Sequence, residues 1–215
     1  MQNIRREYSV GRNIMIVGTL NDDMREVLVI GGGVAGLQAA VFTAKAGLDT
    51  LVLSGDEPLV CSTDKIQNLV TRERIAGDEI IDTGRERVRS LGGEIKDTTV
   101  TDLTREDTPG PFTATTDNAE THIAENVIVA TADEFDFLEP LRDELEFVSG
   151  RDGEFTMERH IETDETNQAI DNVFVAGLAN TWEYQTSVAT AMAQRQLSTS
   201  SATGAMRRIS TTTGD

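Results

Sequence analysis

A chain of 215 residues, 38% of them apolar and 5% aromatic, can bury the core of one domain or of two very small ones. Thirty-seven acidic residues against nineteen basic ones leave a net charge of -18, which argues against nucleic acid and an anionic membrane surface as partners. No run reaches the roughly 18 apolar residues of a membrane span, the apolar patch over 14–17 is too short for a secretory leader, and the single cysteine, Cys61, excludes an internal disulfide. A cytoplasmic protein is expected. Only Lys45, Lys65 and Lys96 are lysines, and acid excess with scarce lysine resembles proteins of salt-loving microbes, against the alternative of an ordinary acidic protein.

Residues 1–24 lack sustained periodicity and read as a flexible arm, with Met24 directly before the first strong strand. Val27-Leu28-Val29-Ile30 is a continuous apolar run, as in a strand buried on both faces of a parallel sheet. A glycine-rich turn follows, then a predicted helix over 34–46 stopped by Gly47, then a second short strand over 50–53. A second helix is predicted over 78–91, capped by Asp78, striped by Ile81, Val88 and Leu91, and stopped by Gly92-Gly93. Short β segments and turns fill 95–123, a buried strand runs over 126–130, and 133–153 reads as an acidic linker with a short helix around 138–145. Val173-Phe174-Val175-Ala176 is the last clear strand, 188–197 the last helix, and 198–215 a Ser/Thr-rich disordered tail. The order βαβ, helix, β insertion, β predicts an α/β, Rossmann-like domain over 25–197, with a central parallel sheet and a small antiparallel insertion.

The chemistry-bearing segment is Gly31-Gly32-Gly33-Val34-Ala35-Gly36, which satisfies G-x-G-x-x-G at Gly31, Gly33 and Gly36. Gly31 permits the tight turn, Gly33 lets the backbone approach a pyrophosphate resting on the helix N-terminus, and Gly36 allows close helix–strand packing. The motif follows a buried strand and opens a helix continued by Ala40 and Gly47, the context it requires. Dinucleotide binding is expected. An NAD-type site places a carboxylate at the end of the second strand, whereas this chain has Ser54, with Gly55, Asp56 and Glu57 beyond it.

Residues 27–53, Ile66-Gln67-Asn68, the 78–91 helix, Val127-Ile128-Val129-Ala130-Thr131 and Val173-Phe174-Val175-Ala176-Gly177 resemble, in order and spacing, the FAD domain of thioredoxin reductases. The resemblance spans about residues 26–197. It implies FAD as cofactor, with NAD(P) the alternative. It implies a cofactor site of Gly31, Gly33, Val34, Ala35, Gly36, Ser54, Gly55, Asn68, Val100, Ala130, Thr131, Gly177, Leu178, Gln185 and Thr186. Partners expected on this basis are a separate electron donor or acceptor protein and a second copy of the chain.

Departures from the family pattern are equally specific. The family inserts an NADPH domain with a redox C-x-x-C pair after an Ala-Thr-Gly strand end; here Ala130-Thr131-Ala132 leads into the acidic 133–153 stretch. The family's Ala-Gly-Asp is Ala176-Gly177-Leu178, its Gly-Gly-Gln falls at Pro58-Leu59-Val60, and its Arg-Gln-Ala falls at Gln185-Thr186-Ser187. Cys61 reads as an inert small residue or as a redox group near the cofactor, and Trp182 and Tyr184 as core or as flavin neighbours. His122 and His160 have no ligand or triad spacing, and the carboxylates over 133–146 read as a solvated face, so no catalytic residue and no metal ligand is assigned. The expectation is an FAD-binding oxidoreductase of thioredoxin reductase type without its own dithiol. The alternatives are a non-enzymatic nucleotide- or partner-binding descendant and an NAD(P)-dependent dehydrogenase.

Overall fold

The computed structural model describes residues 24–132, 134–151, 157–181 and 186. The expected last helix, the expected tail, and Trp182, Tyr184 and Gln185 lie outside them.

The alternation of side chains along a buried strand decides the layering. Strand β1 (Met24–Ile30) is flanked by β2 (Thr50–Ser54) and β6 (Thr121–Val129), both parallel to it. Successive residues of a strand point to opposite faces. Leu28 and Ile30 therefore enter one core with Leu51, Leu53, Val127 and Val129, while Val27 and Val29 enter another with Val52 and Ile128. That is why these strands read as continuous apolar runs. The second core is covered by α1 (Val34–Lys45) and α2 (Gly77–Ser90), which contribute Leu37, Ala39, Ala40, Ile81 and Val88.

The sheet continues outward with β3 (Glu94–Asp97) beside β2 and β10 (Val173–Val175) beside β6, and ends at the antiparallel β9 (Gln168–Ile170), giving the order β3-β2-β1-β6-β10-β9. The expected β insertion is the antiparallel meander of β4 (Val100–Arg105), β5 (Phe112–Thr116) and the first half of β6. One long strand thus serves two neighbours, since β6 pairs with β5 over 121–124 and with β10 over 127–129. A second, two-stranded sheet joins β7 (Phe147–Arg151) to β8 (Met157–Ile161).

Three expectations are corrected in detail. Met24, expected as the last residue of the arm, is the first residue of β1 and pairs with Ile123. Of the stretch expected as an acidic linker over 133–153, residues 135–147 pack on the meander side of the sheet. Its Phe135, Phe137, Leu138, Leu141 and Leu145 are buried, and its helix is a 3-10 turn over Asp136–Leu141 rather than a helix around 138–145. The aromatic rings Phe135 and Phe147, 5.7 Å apart, anchor it at both ends. Helix α2 starts at Gly77, with Ala76 and not Asp78 at the cap. The start is set by tertiary contact: a Cβ on Gly77 would lie 1.8 Å from the Val60 carbonyl oxygen, and the Gly77 N–H donates to the Thr63 carbonyl at 2.9 Å. Asp78 instead accepts the Cys61 thiol hydrogen bond.

Candidate dinucleotide site

The carboxyl ends of the parallel strands β3, β2, β1, β6 and β10 converge on one edge of the sheet, the place where open α/β sheets take ligands. Backbone bonds lock the loops together there. Gly31 N–H donates to the Leu53 carbonyl at 2.9 Å, Ala130 N–H to Ile30 at 2.8 Å, and Ala176 N–H to Val129 at 2.8 Å.

Within that frame the glycines have different reasons to be glycine. Gly31 has φ +114°, a left-handed conformation, and a Cβ there would sit 2.5 Å from the Ala130 carbonyl oxygen and 3.1 Å from the Thr131 nitrogen. A Cβ on Gly36 would lie 1.9 Å from the Gly31 carbonyl oxygen and 3.3 Å from the Ala130 Cβ. A Cβ on Gly177 would meet Ala35 Cβ at 2.7 Å. Gly31, Ala35, Gly36, Ala130, Thr131 and Gly177 are therefore brought into one packed group, with Val34 half-buried as the first residue of α1.

At Gly33 the situation reverses: a Cβ would meet nothing within 4 Å. Gly33 is also the N-cap of α1, it makes no side-chain cap bond, and the first turn carries no acid. An open space thus lies before uncapped helix N–H groups, at the positive end of the helix dipole. In a chain with net charge -18, that is the chemistry a pyrophosphate needs. By this geometry the pyrophosphate half of FAD fits.

Ser54 ends β2, is buried, and packs on Gly32, where a Cβ would come within 2.1 Å of its Oγ. Arg85 of α2 donates to the same Oγ at 3.5 Å and forms an ion pair with Asp97 at the end of β3. Gly55 packs against Thr99, which a Cβ would approach to 2.5 Å, so Val100, the next residue, stands at the same edge, buried at the start of β4. Gly32, Arg85 and Asp97 were not singled out by the sequence. The signal for Asp97 is the parallel register of β2 and β3, and that for Gly32 and Arg85 is their packing on Ser54, none of which a single sequence displays.

The flavin half is less well furnished. Leu178 is half-buried in the 3-10 turn Gly177–Ala179 and brings no hydrogen-bonding side chain. Asn68 is exposed on the loop closed by the Ile66–Ile75 bridge, and Thr186 is half-buried. Cys61 is half-buried, and burial, the hydrogen bond to Asp78 and the charges of Asp78, Glu57 and Asp82 push its thiol up to about 11. It is a protonated thiol at neutral pH, not a nucleophile. Glu57, Cys61 and Asp78 place one donor atom each within 4.8 Å of one another, but the thiolate is the metal-binding form, so the donor set is weak for a cation.

His122, on β6, is 3.6 Å from Glu120, and His160, on β8, is buried; burial is the first cause holding each below its ordinary value. A separate open cleft of about 540 Å³ is lined, among the described residues, by Glu144, Glu146, Glu162, Asp164 and Asp171, of which Glu144 pairs with Arg105, and this acid-rich lining does not suit a phosphate ligand.

Residues 26–71 match the family model described as FAD binding domain. The chain is 35% identical over 116 residues to the thioredoxin reductase of Streptomyces clavuligerus, a match covering 51% of this chain and 34% of that protein. It is 38% identical over 76 residues to the thioredoxin reductase of Aquifex aeolicus, covering 34% of this chain and 24% of that protein. Among solved structures, a thioredoxin reductase from Gloeobacter violaceus superposes with a TM-score of 0.67 at 14% identity, covering 88% of this chain and 95% of that one. The atypical thioredoxin reductase of Desulfovibrio vulgaris Hildenborough superposes with a TM-score of 0.65 at 20% identity, covering 89% and 100%. The sequence matches reach about a third of the curated relatives' length. Among the described residues, no helix is long and apolar enough to cross a membrane. The chain carries a thioredoxin reductase-like FAD-binding domain.

Proposed function

We propose that this domain binds FAD at the carboxyl edge of its parallel sheet and exchanges electrons through it with a separate donor or acceptor protein. The observation that carries the proposal is the open space at Gly33 before the uncapped start of α1. Gly31, Gly33, Val34, Ala35 and Gly36 would hold the pyrophosphate, Ser54, Gly55 and Val100 the adenosine end, and Ala130, Thr131, Gly177 and Leu178 the side toward the flavin. FAD when bound supplies the redox chemistry; the protein supplies position and electrostatics. The chain has one cysteine and so no dithiol of its own, which is why a separate partner is part of the proposal.

A second reading, a nucleotide-binding domain without redox activity, is favoured by Leu178, which cannot accept a hydrogen bond from a ribityl hydroxyl. Titration of the protein in high salt with FAD, ADP-ribose and NADPH, followed by calorimetry and visible absorption, separates the two. FAD binding with a flavin spectrum supports the first, and ADP-ribose binding without FAD binding supports the second. Gly33→Val tests the shared core of both. Its side chain enters space that the protein leaves open, so folding should survive while FAD and ADP-ribose each weaken at least about tenfold, roughly 1.4 kcal/mol. Unchanged affinity in the folded variant would remove the site.

A further inference from the structure

A Rossmann-type site holds the adenosine ribose with a carboxylate at the end of the second strand, and an arginine near a small residue there accommodates a 2′-phosphate instead. Ser54 with Arg85 behind it looks at first like the second arrangement. Asp97 changes the outcome. It is the register partner of Ser54 on the parallel neighbour β3, one strand spacing of about 4.8 Å from the place of the missing carboxylate. The Arg85 side chain is 17% exposed and the Asp97 side chain 70% exposed, so the guanidinium is held inside while the carboxylate stands in solvent at the ligand edge. Arg85 joins both groups through its ion pair with Asp97 and its 3.5 Å contact to Ser54 Oγ. The Thr98 N–H, donating to the Ser54 carbonyl at 3.0 Å, fixes the β3 end against β2.

Resting on the dinucleotide reading above, we infer that Asp97 takes over from the second strand as the acceptor for the adenosine ribose hydroxyls. Arg85 and Ser54 are positioning residues, and the site selects adenine dinucleotides with a free 2′-hydroxyl over those with a 2′-phosphate. A ribose hydroxyl donates to a carboxylate, whereas a phosphate dianion in the same place offers no proton and meets a like charge. Arg85 does not offset this, because its charge is already balanced by the ion pair with Asp97.

The test uses ligands without a flavin, so it does not depend on the flavin half of the site. Calorimetry on the full chain at one fixed salt concentration should show ADP-ribose binding at least about tenfold tighter than its 2′-phosphorylated form. The 2′-deoxy form should also bind more weakly than ADP-ribose, a measurement that needs no variant. Asp97→Asn releases Arg85 and should narrow or reverse the preference. Gly33→Val should weaken both ligands by the same factor and leave their ratio unchanged. Equal binding of the three ligands to wild type, or an unchanged ratio in a folded Asp97→Asn protein, overturns the inference while leaving the dinucleotide site standing. No binding of ADP-ribose to folded wild type overturns both.

Discussion

Leu178 follows Gly177, whose φ of +68° and close approach to Ala35 bring the 3-10 turn onto the first turn of α1. If FAD occupies the edge, Leu178→Asp should supply the acceptor that the ribityl chain lacks and tighten FAD by about 1.5 to 3 kcal/mol, the range for a hydrogen bond to a charged group. ADP-ribose, which has no ribityl portion, should bind as before. Calorimetry with both ligands checks this, and weaker FAD binding by a folded variant would place Leu178 in a core where a lone carboxylate is unfavourable. At this scale the glycine motif was legible because its signature falls within six residues directly after a buried strand, even though the contacts that restrict Gly31 and Gly36 reach Ala130 and Thr131. Gly32, Arg85 and Asp97 were not, because each gains its meaning from partners 12 to 43 residues away, and a single sequence carries no register.

Strands β6 and β8 each carry a histidine whose pKa is depressed below 6.5. For His122, on β6, the causes are burial and then Lys96; for His160, on β8, burial opposes the charge of Glu162. A base with a depressed folded pKa takes up its proton later than the unfolded chain does, so its stability term is complete above 6.5 and is lost as pH falls below it. Asp117, held below 3.8 by the Thr98 hydroxyl, acts only in more acid solution. Thermal midpoints should therefore fall between about pH 7 and about pH 5, and a His122→Gln, His160→Gln protein should fall less. Equal slopes would mean that other groups set the acid limb.

Among the elements, the central parallel strands were legible because burial on both faces makes 27–30, 51–53, 127–129 and Val173–Val175 unbroken apolar runs, whereas the parallel edge strand β3 has only Ile95 apolar and carries no such run. The stretch after β6 was not. Its acids outnumber its apolar residues and mask the spacing of Phe135, Phe137, Leu138, Leu141 and Leu145, which the fold buries. The start of α2 was missed for a different reason, since a neighbouring loop and not a capping side chain sets it.

For the whole molecule, charge is the governing quantity. A net -18 repels itself in dilute buffer, and the cleft lined by five carboxylates concentrates that repulsion around β9 and the end of β8. Thermal midpoints should climb steeply from about 0.1 to about 3 M potassium chloride as the screening length shrinks from about 10 Å to under 3 Å. Screening and general salting-out are told apart by neutralising Glu146, Glu162 and Asp171 to their amides. That variant should gain less from salt; an equal gain would show that the carboxylates do not carry the effect.

The contrast between Gly33 and its neighbours bears on how such a chain would drift under selection. A Cβ at Gly31, Gly32 or Gly36 collides with the protein itself, so foldability alone polices those positions. A Cβ at Gly33 collides with nothing, so a screen for stability or expression is blind to it. Variants recovered from such a screen would keep the loop's shape and discard its occupant, and an intact glycine at Gly33 would be the surviving sign that the site is still in use.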